Sequence, residues 1–266
     1  MPKTRVNDID MYYEVHGQGQ PLVMIRGFGS NAGHWYAQIP ALAPHFQVVI
    51  FDNRGIGRTD QPDSPYSISM MAEDTVGLMT ALGLERVHVL GMSMGGMIAQ
   101  RIAIDHPERV KGLVLVCTHC GGDQLVRASD EVLGIFSEYV MTGTPEAAAR
   151  TPECLFAPDT VAKRPEIVRG YQAVSAEHPP SLQSMMNQFA AVQGHDTFHD
   201  LPRVQAPTLV LTGDLDVLIP PENSRILAER IPGARLRIIE GGAHQFTVEQ
   251  ADAFNQAVLD FLQALE

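Results

Sequence analysis

Short apolar runs alternate along the chain with longer stretches in which apolar residues recur every three or four positions. The runs Pro21–Ile25 (PLVMI), Gln47–Phe51 (QVVIF), Arg86–Leu90 (RVHVL), Val110–Cys117 (VKGLVLVC), Thr208–Leu211 (TLVL) and Ala234–Ile239 (ARLRII) are rich in Val, Ile and Leu. A strand with one wet face alternates apolar with polar residues. Runs that are apolar on successive residues predict strands covered on both faces, as in a parallel sheet. Val6–Asp10 and Met11–Val15 predict a leading antiparallel pair. Between the runs, Ile68, Met71, Leu78, Met79 and Leu82 fall on one helical stripe that Gly83 closes. Met94–Asp105 predicts a second helix, stopped by His106-Pro107, and Pro220–Arg230 a third that opens with proline. A last helix carries Phe254, Val258, Phe261, Leu262 and Leu265 on one face.

Strands alternating with helices predict an α/β fold, with a mostly parallel central sheet and helices on both faces. One stretch departs from the alternation. From Gly121 to Asp200 no strand is visible, and Ala128–Met141, Pro145–Leu155, Pro165–Glu177 and Ser181–Gln193 read as helices punctuated by prolines. The expected organisation is a core built from residues 1–120 and 201–266, with residues 121–200 inserted as a helical lid.

Composition narrows the function classes. With 19 basic and 31 acidic residues the net charge is −12, which argues against nucleic acid or an anionic membrane surface as partner. Three cysteines do not suit a secreted disulfide scaffold. Met1-Pro2-Lys3-Thr4-Arg5 leads into polar residues without an apolar signal segment. No apolar run approaches the roughly 20 residues of a membrane span. A reduced, cytoplasmic protein acting on a small molecule is expected, with the oligomeric state, homo-oligomer included, left open.

The chemistry concentrates at Gly91-Met92-Ser93-Met94-Gly95, a G-x-S-x-G sequence directly after a predicted strand and directly before a predicted helix. A strand-to-helix turn this sharp strains the backbone of its middle residue and leaves no room for side chains at the flanking glycines. It lifts the Ser93 hydroxyl clear of the sheet. A serine hydroxyl is a weak nucleophile until a base takes its proton, so an oriented histidine is required. Among ten histidines, His244 follows the last predicted strand, at the same sheet edge as Ser93. Asp214 and Asp216 both follow the strand Thr208–Leu211. Asp216, three residues past Gly213 and shortly before Pro220, is favoured, with Asp214 the rival.

These residues sit among others that together resemble the α/β-hydrolases of the esterase and lactonase branch, 3-oxoadipate enol-lactonases and acyl-homoserine lactonases included. The matching stretches are Arg26-Gly27-Phe28-Gly29, Asp52–Arg58, Gly91–Ala99, His106–Val110, Gly213–Pro220 and Gly242-Ala243-His244. The resemblance implies Ser93 as nucleophile, Asp216 as acid and His244 as base. It also implies an oxyanion hole made by the backbone N–H groups of Phe28 and Met94. Arg26 stands where relatives commonly have histidine, and burying its charge would need a carboxylate or several acceptor oxygens.

The function expected is therefore cofactor-free hydrolysis of a carboxylic ester or lactone through an acyl-enzyme at Ser93. C–C bond hydrolysis of the meta-cleavage type, perhydrolysis by the same triad, and a catalytically inactive ligand-binding member of the fold are the alternatives. Dehalogenase and epoxide hydrolase chemistry would need an aspartate at position 93. His119 and Cys120 are candidates for the pocket wall, as are Phe28, Trp35 and Phe136 with Met92, Met94, Met97, Met185 and Met186. Cys117–Cys120 and the pattern His195-Asp196, His199-Asp200 invite a metal reading, but their contexts, a strand end and a linker, favour structural roles.

Overall fold

In the computed structural model, which describes residues 2–266, eight strands form one sheet. They are β1 (Lys3–Val6), β2 (Ile9–His16), β3 (Pro21–Ile25), β4 (Gln47–Phe51), β5 (Val87–Met92), β6 (Val110–Val116), β7 (Thr208–Gly213) and β8 (Arg235–Ile239). Their spatial order is β1-β2-β4-β3-β5-β6-β7-β8. β2 runs antiparallel to β1 and β4, and every other pairing is parallel. This is the architecture the apolar runs predict. Its central strands are apolar throughout because successive residues serve two cores. Val23, Ile25, Leu113 and Leu115 pack on one face, and Leu22, Met24, Val114 and Val116 on the other.

The leading pair differs from expectation in its register. Val6 pairs with Ile9, so the chain reverses at Asn7-Asp8, where the expected first strand was to continue. Asn7 takes φ 51°, a left-handed conformation that asparagine tolerates better than most residues, and its side-chain amide donates to Asp74 Oδ1 at 2.8 Å. β2 is consequently longer than expected and reaches His16.

The helices are α1 (Ile39–Leu42), α2 (Ile68–Ala81), α3 (Met94–Asp105), α4 (Asp130–Thr142), α5 (Pro145–Arg150), α6 (Pro152–Leu155), α7 (Pro158–Lys163), α8 (Pro165–Glu177), α9 (Leu182–Gln193), α10 (Glu222–Arg230), α11 (Phe246–Glu249) and α12 (Ala251–Gln263). α2, α3 and α10 bury Met71, Leu78, Met97, Ile98 and Leu227 against one sheet face. α1 and α12 bury Leu42, Phe254, Val258 and Leu262 against the other. Ser67 caps α2 by accepting the Met70 N–H. At its other end the Leu84 N–H returns to the Met79 carbonyl at 2.9 Å and the Gly83 N–H to that of Thr80, a Schellman closure.

The stretch between β6 and β7 contains α4–α9. Pro152 divides the expected helix Pro145–Leu155 into α5 and α6, since proline has no N–H to continue the ladder. α7 was not expected from the sequence; at six residues it is too short to show a helical period. α10 starts at Glu222 rather than Pro220, because Pro220 and Pro221 form the turn that precedes it. Among the described residues no helix is long and apolar enough to cross a membrane.

Candidate active site

β3, β5, β6, β7 and β8 run parallel, so their C-terminal ends open at one edge, where α/β sheets characteristically bind ligands. β5 ends at Met92 and α3 begins at Met94, which leaves Ser93 alone to make the turn. Ser93 has φ 55° and ψ −122°, a conformation costly for any residue with a side chain. Its N–H donates to the Val116 carbonyl at 2.8 Å, and its own carbonyl accepts the Thr118 hydroxyl at 2.8 Å. The turn is thus tied to β6 from both sides. A Cβ at Gly91 would overlap the Gly95 carbonyl, and one at Gly95 would overlap that of Ile25. Both glycines are therefore required by close backbone approach.

Asp216 and His244 come together across two loops. Gly213, at the end of β7, touches Gly242 in the loop after β8 so closely that a Cβ on Gly213 would overlap the Gly242 carbonyl. The Leu215 N–H bonds that carbonyl at 2.9 Å. In the buried space behind them, His244 Nδ1 lies 2.8 Å from Asp216 Oδ2. The other carboxylate oxygen, Oδ1, accepts the N–H groups of Leu218 and Ile219 at 3.0 and 2.8 Å. Asp216 is therefore held in one orientation by three partners. Asp214, the rival, is exposed and accepts the Gly241 N–H at 2.6 Å, away from the imidazole.

Ser93 and His244 line one cavity of about 480 Å³. No hydrogen bond joins their side chains among the described residues; nucleophile–base bonds of this kind commonly tighten only in the complex with substrate. Met94, as the first residue of α3, has an N–H without an intrahelical acceptor. The Phe28 N–H likewise has no protein acceptor among the described residues. Phe28 lies in the loop after β3, beside Gly27, where an added Cβ would sit 3.0 Å from Ser93 Cβ.

That loop is fixed from the inserted helices, a set of contacts with no signature in the sequence. Gln188 of α9 accepts the Gly29 N–H at 3.1 Å and donates to the Arg54 carbonyl at 2.9 Å. Tyr171 of α8 shares a hydrogen bond with Ser30 at 3.2 Å, and Ser175 one with His34 at 2.9 Å. Glu249 accepts the Ala157 N–H at 2.8 Å and the Ala243 N–H at 3.3 Å, joining α7 to the loop that carries His244.

The cavity wall differs in part from expectation. Phe28, Phe136 and Met92 line it, joined by Leu155 and Phe156. Trp35, Met94 and Met97 do not, because each is packed into the core beside the sheet. On α9, Met185 is buried and Met186 faces solvent, and neither lines the cavity. Neither His119 nor Cys120 lines the wall: both are buried, and the His119 ring packs 6.2 Å from that of His195. Of the pattern His195-Asp196, His199-Asp200, Asp196 accepts the Phe198 N–H and Asp200 pairs with Arg101 and Arg203. All three cysteines are free and buried. Burial pushes the Cys120 and Cys154 thiols up to about 11.

Three buried histidines shape stability. Burial pushes His34 and His195 down to about 3, helped by the charge of Arg26 at His34 and by His119 and Arg101 at His195, and pushes His119 down to about 4. In the fold these rings stay neutral, whereas in the unfolded chain they take up a proton near 6.5. The unfolded chain binds more protons below that point, so their stabilisation is complete above about pH 6.5 and is lost as pH falls, down to about 4 for His119 and about 3 for His34 and His195. Each contributes a slope of at most about 1.4 kcal/mol per pH unit. Urea unfolding between pH 7.5 and 4.5 should show stability falling with acidification, with a shallower slope in His195→Gln; a fold that strengthens on acidification would contradict this.

The family model described as the alpha/beta hydrolase fold matches residues 20–250, and the chain belongs to that family of hydrolases. It is 35% identical over 262 residues to RutD of Azorhizobium caulinodans, named as a candidate carbamate hydrolase, covering 98% of both chains. The enol-lactonase of Burkholderia xenovorans superposes with a TM-score of 0.89 at 26% identity, over 98% of this chain and 100% of that one. Est816, described as an N-acyl homoserine lactone degrading enzyme, superposes with a TM-score of 0.83 at 31% identity, over 98% of this chain and 100% of that one.

Proposed function

We propose that the protein is a serine hydrolase of carboxylic esters or lactones, with Ser93 as nucleophile, His244 as base and Asp216 as the carboxylate that orients it. The observation that carries this reading is the convergence on one cavity of a serine held at φ 55° and a buried imidazole 2.8 Å from a carboxylate. His244 Nε2 takes the Ser93 proton as Oγ attacks the substrate carbonyl carbon, and the carbonyl electrons move onto oxygen. The N–H groups of Phe28 and Met94 receive that oxyanion; losing one such donor costs about 10²–10³ in rate. As the carbonyl re-forms, the alcohol leaves with the proton from His244. Water then gives a proton to His244 and attacks the acyl carbon; as the carbonyl re-forms the bond to Oγ breaks, the acid leaves, and His244 returns the proton to Ser93. A lactone follows the same steps and yields one hydroxy acid.

The cavity volume suits a small molecule, and its walls of Phe28, Phe136, Leu155 and Phe156 suit the apolar part of one. Residues 121–200 act in this reading as a lid on a core of residues 1–120 and 201–266. The bonds from Tyr171 and Gln188 to the loop 29–30 support that division. Carbamates, from the name of the relative in Azorhizobium caulinodans, undergo acyl transfer by the same first step and belong in the test. A fluorophosphonate probe should label the native protein. A panel of p-nitrophenyl esters of increasing acyl length, acyl-homoserine lactones, enol-lactones and aryl carbamates should show turnover of esters or lactones above carbamates. No labelling and no turnover across the panel would refute the reading.

A further inference from the structure

We propose that the cavity takes an ester whose acyl part ends in a carboxylate, the half-ester of a short dicarboxylic acid, and that Arg26 binds that carboxylate. The proposal rests on the serine-hydrolase reading above and names its substrate class.

Arg26 is 1% exposed, yet among the described residues no carboxylate pairs with it. Its Nη1 meets Met92 Sδ at 3.4 Å, its Nη2 meets Gln245 Oε1 at 3.3 Å, and its Nε has no partner. Charge-assisted N–H···O bonds ordinarily fall near 2.7–2.9 Å. The guanidinium lies 4.6 Å from the Trp35 ring centroid, which covers one face but offers the N–H edge no lone pair. Arg54, buried to a similar degree, is treated differently: it bonds Asp74 at 2.7 Å and also reaches Asp8. A buried cation without an anion is unfavourable, and a guanidinium's planar fork is matched best by a carboxylate.

The surroundings point the same way. Arg26, Ser30, Tyr171 and Gln245 all line the cavity beside Ser93 and His244. They form a continuous polar strip: Gln245 Nε2 donates to the Tyr171 hydroxyl at 3.1 Å, and that hydroxyl shares a hydrogen bond with Ser30 at 3.2 Å. The rest of the wall is mostly apolar. Although the chain holds 31 acidic residues, none is among those lining the cavity. An anionic ligand therefore meets donors and a cation there, with no like charge. Gly27 alone separates Arg26 from Phe28, whose N–H is proposed to face the reacting carbonyl. Both residues line the cavity, and a short acyl chain would set its carboxylate at Arg26 while its carbonyl meets the Phe28 N–H.

The test compares kcat/KM for mono-p-nitrophenyl glutarate with that for p-nitrophenyl pentanoate, which has the same chain length and no second carboxylate. The wild type is expected to prefer the glutarate ester by about tenfold or more, and free glutarate to inhibit pentanoate hydrolysis competitively. Arg26→Gln should lower the preference ratio by about 10- to 100-fold, whereas Arg26→Lys should retain its direction. If Arg26 acts only as a fixed charge on the oxyanion, both esters lose rate together and the ratio stays constant, which overturns the proposal. A wild type that favours pentanoate and ignores glutarate overturns it as well, and needs no variant to fold. Failure of the serine-hydrolase reading looks different: neither ester is turned over and no fluorophosphonate labels the protein.

Discussion

Ser93→Ala is expected to lower kcat for ester hydrolysis by about 10⁵- to 10⁶-fold and to abolish fluorophosphonate labelling, with little change in thermal unfolding. The reasoning has two parts. In the proposed mechanism no acyl-enzyme forms without Oγ, and what would remain is polarisation of the carbonyl by the Phe28 and Met94 N–H groups together with substrate binding. The stability side follows from what the Ser93 hydroxyl leaves undone. The bonds that hold the turn run from its backbone, to Val116 and Thr118, and persist in alanine. Alanine keeps the same backbone conformation and its loss is one hydroxyl with no side-chain hydrogen bond among the described residues, so the change in stability is expected to stay within about 0.5 kcal/mol. A single-turnover assay and a melting curve on the same preparation separate the two effects. Residual hydrolysis near the wild-type rate would remove Ser93 from the mechanism, and a collapse in melting temperature would make it a structural residue.

Asp216→Asn is expected to cost about 10⁴ in kcat, and Asp214→Asn less than about threefold. In the proposed mechanism Asp216 Oδ2, 2.8 Å from His244 Nδ1, accepts its N–H, which leaves Nε2 to take the proton from Ser93. An asparagine held by the Leu218 and Ile219 N–H groups through its carbonyl oxygen would turn its NH₂ toward the ring. Nδ1 would then have to accept, and the proton would move to Nε2, where the base is needed. Asp214 lies two residues away and carries the same charge, but its carboxylate caps the Gly241 N–H in solvent. Comparing the two variants at one pH, with kcat and KM resolved, tests orientation of the imidazole rather than charge alone. Equal losses in both would refute this assignment.

The contrast between these two aspartates shows where the sequence stops being informative. Both follow one strand and both suit a loop, so local pattern can rank them only by position. The choice is made by the contact of Gly213 with Gly242, which joins loops after β7 and β8. Arg26 is a similar case. Its departure from the usual histidine is visible in the sequence, and so is the need for partners if it is buried. That its partners are a thioether and an amide depends on how the loop folds against Met92 and Gln245. Gln188, Tyr171 and Glu249 had no signal at all, since a lone polar residue on an amphipathic helix looks like its solvated neighbours.

The elements themselves were more legible, and for a physical reason. Strands buried on both faces must be apolar on every residue, and helices over a sheet must repeat every three or four, so β3, β4, α3 and α8 can be read almost to the residue. Boundaries slipped where one residue's backbone decides, as at Asn7, or where proline breaks a short helix, as at Pro152. By itself the sequence determined a parallel α/β sheet and the sharp turn at Ser93, because these follow from local sterics and periodicity; the roles of Ser93, Asp216 and His244 were what the family resemblance implied. The tertiary structure alone decided which acid meets His244, which residues line the cavity and that Arg26 is buried without a counter-ion. Those depend on loops far apart in the chain, whose contacts are set by the packing of the whole sheet and its inserted helices.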